Sequence, residues 1–118
     1  MTTINVPLLT RVLDHITVNP KEWEQANWAV KTSCGTACCV AGHAAVMTGH
    51  TPDFSRGYGR TDMTSDGRLI YEVAQQELGL GADQADAMFA QENTLHDLWA
   101  MASEFTDGEI EIPASVTA

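Results

Sequence analysis

Basic residues are scarce in this chain of 118 residues: six Lys and Arg stand against 16 Asp and Glu, for a net charge of −10. From residue 69 onward there is no Lys or Arg. The same stretch holds the carboxylates Glu72, Glu77, Asp83, Asp86, Glu92, Asp97, Glu104, Asp107, Glu109 and Glu111. Such a surface repels nucleic acid and anionic lipid. It argues against DNA reading, although two helical segments have the length of a helix-turn-helix pair. It attracts a basic partner, or keeps the chain in solution. The carboxylates are spread singly, unlike the closely spaced rows of a surface that imitates DNA.

Long apolar runs are also missing, and none approaches the length of a bilayer span. The N-terminal Met-Thr-Thr-Ile-Asn-Val-Pro lacks a basic stretch followed by an apolar one. The resulting expectation is a cytoplasmic protein. Cysteine occurs three times, at Cys34, Cys38 and Cys39. An odd number in one short stretch excludes a disulfide framework, so reduced thiols are expected. With 44% hydrophobic residues the chain can bury one core, which makes 1–118 a single expected domain.

What is present centres on residues 34–49. Almost every residue from 37 to 47 is small or apolar on all sides, the pattern of a buried helix. Thr36 reads as its N-cap and Gly49 as its left-handed stop. Cys38, Ala41, Gly42 and Ala45 form one stripe of small side chains that permits close approach. The expected fold class is all-α: five or six short helices around this helix of about 36–48, with at most a minor two-stranded β ribbon.

Val6-Pro7 opens a helix carrying Leu8, Leu9, Val12, Leu13 and Ile16 on one face. Asn19-Pro20-Lys21-Glu22 reads as the start of a second, with Trp23, Trp28 and Val30. Its tryptophans suggest large-into-small packing. Helices are also expected over 68–78, stopped by Gly79, over 82–90, and over 95–105 behind Asn93-Thr94. Glu109-Ile110-Glu111-Ile112 alternates like a strand whose partner would lie in 58–66. Residues 114–118 read as a frayed end. Residues 50–67 form a long loop with Arg56, Tyr58 and Arg60, and Arg68 follows. Three of the six basic residues thus lie close together. Long loops in compact domains are usually functional or mobile, so these four residues are candidate binding residues, with a small anionic ligand as one occupant.

Three kinds of chemistry fit the cysteine segment. Cys39 and His43, at i and i+4, could hold a metal with Cys34 and a further histidine, His15, His50 or His96. Cys38 points about 100° away from Cys39 on a helix and does not join that site. Cys34 or Cys38 could instead be a nucleophile, Cys38 being sensitised at a helix N-terminus. Ser33-Cys34-Gly35 resembles the nucleophile region of papain-like proteases, but no Asn–His pair is legible and the chain is too short for that fold. A thiol enzyme would need His50 or His96 as base. The third reading is structural: buried cysteine behaves as a small hydrophobe, and His43 sits at a core edge. The third is preferred, so no catalytic residue, resident metal or cofactor is expected.

Cys34-Gly35-Thr36-x-x-Cys39-x-Ala41-Gly42-His43-Ala44 resembles a pattern in small proteins of bacteria and their phages, in particular of actinobacterial phages. The upstream Asn19-Pro20-x-x-Trp23 and the downstream segment Leu78 to Trp99 share the likeness. The resemblance implies a phage product in a bacterial host cytoplasm and no particular activity. Together these readings suggest a non-catalytic accessory protein that binds a host protein and inhibits growth or a defence system. The arginine loop and the acidic half would be its contact surfaces.

Overall fold

The computed structural model describes residues 3–32, 35–55 and 59–116. Among these are five α-helices and one three-stranded antiparallel sheet. The architecture is therefore mostly helical, and the all-α expectation is corrected. No described helix is long and apolar enough to cross a membrane.

Helix α1, Val6–Val18, starts where the Asn5 side chain accepts from the Leu8 amide and buries Leu8, Leu9, Val12, Leu13 and Ile16. The expected second helix is a single 3-10 turn, Pro20–Glu22. The chain then runs to strand β1, Ala29–Thr32. Long-range pairing overrides the local helix signal here. Cys38 donates to the Glu22 carbonyl and accepts from the Glu24 amide, both at 2.9 Å, and Cys39 donates to the Asn27 carbonyl. Those carbonyls and amides are then unavailable to a helix, and Val30 and Thr32 suit a pleated backbone.

Strand β2, Gly35–Ala37, pairs with β1 in the register Val30 with Ala37 and Lys31 with Thr36. Thr36 is thus a strand residue and not a helix cap. The central helix, α2, is shorter than expected, Val40–Met47, with Cys39 at its N-cap. Its residues from Val40 to Ala45 are all buried. Helix α2 packs against α1 and against α3, Ile70–Leu78.

Strand β3, Arg60–Thr61, lies on the other side of β1, so the sheet order is β2-β1-β3. The expected ribbon is corrected: β3 pairs with β1, and 109–112 is not a strand. Ile110 is buried, its amide bonded to the Thr106 hydroxyl, and the chain wraps the end of α5 (Leu95–Phe105) instead of extending. Val116 is also buried.

Much of the 50–67 segment is folded on itself. Single bridges join Pro52 with Thr64 and Met63 with Leu69, and Ser65 donates to the Thr51 carbonyl at 2.7 Å. Helix α3 ends at Gly79, φ +71°, as read from the sequence. Helix α4 is Ala82–Met88. Helix α5 carries the Thr94–Asp97 capping box.

Candidate functional site

The cysteine segment is built for packing. Cys38 and Cys39 are buried free thiols. Burial pushes the Cys38 thiol up to about 12, with Cys39 and Glu22 adding to the rise. Burial likewise raises Cys39 to about 11, against the lowering pull of the Gly42 and Ala41 amides. Both stay protonated at neutral pH, and the thiolate is the reactive form. Cys38 precedes α2 rather than lying inside its first turn, so the sensitising position expected for it does not exist. Cys34 lies outside the described residues.

His43 is buried on α2, and its Nε2 is 2.6 Å from the Glu22 carbonyl oxygen. A carbonyl only accepts, so Nε2 carries the proton. His15 sits beside it, ring centroids 5.3 Å apart. The His15 Nε2 meets the Glu22 carboxylate at 3.0 Å, and Asn19 approaches its Nδ1 at 3.4 Å. Neither ring nitrogen of His15 is left to act as a base. No group of three or more metal-ligating side chains occurs among the described residues.

Burial lowers the His43 pKa, with the Glu22 carbonyl opposing and His15 adding to the shift. The folded state therefore binds fewer protons here than the unfolded chain, whose histidine titrates near 6.5. That contribution to stability is complete above the unfolded value and is lost as pH falls from there through the lower folded value. The expected result is a melting temperature that drops below about pH 6.5. In His43→Gln the drop should be shallower, as thermal unfolding across pH would show.

Of the candidate binding residues, Arg60 and Arg68 lie within the described residues. The Arg68 guanidinium bonds Gln76 Oε1 on α3 at 2.6 Å. Arg56 and Tyr58 lie outside the described residues. His50 faces Asp66 at 3.7 Å. The Thr64 hydroxyl donates to Asp66, which with smaller contributions holds that carboxyl below its usual range. His96 lies in the first turn of α5.

Arg60 does line a concavity. A groove of about 730 Å³ is lined by residues 26–30 and by residues 60–62, which include the paired ends of β1 and β3. Trp28, Asn27, Arg60, Thr61 and Asp62 border it. The Trp28 ring is braced: Tyr71 and Phe89 meet it edge-on, with centroids 6.0 and 6.1 Å away. Tyr71 is in turn fixed by donating to Asp86 Oδ1 at 2.7 Å.

Of the three tryptophans, Trp23 donates to Gln25 Oε1 and Trp99 to the Thr17 hydroxyl. The indole N–H of Trp28 makes no hydrogen bond to a described residue. Arg60 and Asp62 form no ion pair with each other or with any other described residue. The residues lining the groove thus include an indole, a guanidinium and a carboxylate that have no partner among the described residues. Trp28 and Asp62 were missed from sequence. Trp28 reads as core, and the only signal for Asp62 is its position two residues after Arg60. No family model, no curated protein and no solved structure matches this chain.

Proposed function

We propose that the protein is a non-catalytic accessory protein of phage origin that binds a host protein through the Trp28–Arg60–Asp62 groove. The observation that supports this is the contrast between two regions. The described thiols and the His15–His43 pair are buried or tied up, whereas the groove's charged groups and indole donor have no described partner. A braced aromatic beside an arginine is the composition of a binding hot spot. The carboxylates of 69–118 add a field that speeds encounter with a basic partner. Nine of the ten are exposed and only Glu77 is partly covered.

A second reading, a small anionic ligand held by Arg60, is favoured by the groove volume, which lies within the roughly 300–1,000 Å³ typical of ligand pockets. Asp62 on the same rim weakens it.

Affinity capture from an actinobacterial lysate at low and high salt tests the main reading. The wild type should retain a host protein at low salt and less at high salt. Trp28→Ala should bind that protein at least about 30-fold more weakly, the loss of a hot spot near 2 kcal/mol. Retention of no protein at either salt, or equal retention by Trp28→Ala, would overturn it.

A further inference from the structure

We propose that a second hollow, adjoining the groove, takes an arginine side chain of the partner. This rests on the binding role proposed above and names one residue that the partner presents. The hollow holds about 250 Å³, and Gln25, Asn27, Trp28, Cys39, Phe89 and Gln91 line it. It shares Ala26, Asn27 and Trp28 with the groove. Its volume falls below the roughly 300–1,000 Å³ of sites that enclose a whole ligand, so it suits a single side chain. One wall is pinned by Gln25, which is only 8% exposed. Its Oε1 accepts from the Trp23 indole at 2.9 Å, and its Nε2 donates to the Met88 and Ala90 carbonyls at 3.1 and 3.0 Å. Residues 23–25 are thereby tied to the end of α4.

Rings and charges together select a cation. The Trp28 and Phe89 planes stand 83° apart, and a group seated in the angle between two such rings meets ring face. Ring faces carry negative partial charge and attract cations. No charged side chain lines the hollow, and the Cys39 thiol stays protonated, yet carboxylates stand at its margin. Glu24 Oε1 accepts from the Ala26 amide at 3.3 Å, which holds that carboxylate beside the lining segment. Glu92 follows Gln91 and is exposed. An anion would be repelled there, and a neutral group would leave the charges unanswered. The side-chain amides of Asn27 and Gln91 bond no described residue, so their oxygens are open to donors. A guanidinium is planar, stacks on an aromatic face and carries five donors, whereas a lysine ammonium is compact and strongly hydrated. Arginine is therefore the better occupant.

The test titrates arginine blocked at both ends into the isotopically labelled full chain at low salt, beside equally blocked lysine, citrulline and glutamate. Citrulline has nearly the shape of arginine without its charge. Arginine should shift the Trp28 indole and the Gln91 side-chain amide. It should bind about twofold to fivefold more tightly than citrulline or lysine. Glutamate should shift neither signal. Glu24→Gln should cut the advantage of arginine over citrulline about twofold. Glu111→Gln removes the same charge elsewhere on the surface and should leave that advantage unchanged. Both carboxylates are exposed, so these variants should fold, which the rest of the spectrum verifies.

Binding of arginine no tighter than that of citrulline or lysine would overturn the inference. So would shifts confined to residues 60–62, an equal loss in both variants, or no shift with any of the four probes. If affinity capture still yields a Trp28-dependent partner in that case, the binding role stands and only the arginine site fails. If no partner is captured either, both fail.

Discussion

Replacing Gly42 with alanine should destabilise the protein by about 3 kcal/mol or more, at the upper end of what overpacking costs. A Cβ built at Gly42 would stand 1.9 Å from the Trp28 carbonyl oxygen and 2.6 Å from the Cys38 Cβ. The first contact is with backbone, which cannot rotate aside. Relief would require moving the 26–30 segment away from α2, and that segment forms one wall of the groove. The variant should therefore lose both stability and partner binding. Chemical denaturation gives the first and affinity capture the second. A variant as stable as wild type would mean that the approach of Trp28 to α2 is not as described.

Trp99→Ala should cost about 3–5 kcal/mol, the range for emptying a large aromatic site in a core. Trp99 on α5 is only 2% exposed. Its indole N–H donates to the Thr17 hydroxyl at 3.0 Å, and that hydroxyl donates to the Leu13 carbonyl at 2.7 Å. The side chain thus joins α5 to the end of α1 through one short relay. Trp99→Phe keeps most of the volume and loses the indole donor and the second ring's edge, so it should cost less, about 1–3 kcal/mol. Denaturant midpoints of the two variants measure how much of the loss comes from emptying the ring site, since both lack the donor to Thr17. Against a typical total of roughly 5–15 kcal/mol, the alanine variant should be close to unfolding.

Helices α1, α3 and α5 were legible because their signals are local. The apolar spacing of Leu8 to Ile16, the left-handed Gly79 and the Thr94–Asp97 box each act within a few residues. The sheet was not legible for the opposite reason. Its strands have two to four residues, too few to display a two-residue period. Arg60 pairs with Val30 across thirty positions. Asn19-Pro20-x-Glu22 carries a strong helix start, yet only one 3-10 turn forms because Cys38 and Cys39 take the backbone groups beyond it. The same override moved the start of α2 from Thr36 to Val40.

The site was half legible. Loop arginines stand out in a chain this acidic, and Arg60 is on the groove. Arg68 looked equivalent but is bound to Gln76, a partner eight residues away that belongs to α3. Trp28 looked like a ring filling the small-residue stripe. In the structure it is the Trp28 carbonyl that approaches Gly42, while the ring meets Tyr71 and Phe89 and the residue lines the groove.

The central claim is that Cys38 and Cys39 are core-packing thiols held in the protonated form by burial. Labelling of the folded Cys34→Ser protein with a disulfide reagent between pH 7 and 9 tests it most directly, since only Cys38 and Cys39 then report. Both thiols should remain unlabelled until denaturant unfolds the chain, in keeping with values near 12 and 11. Labelling of either one in the folded protein as fast as a free thiol would contradict the account.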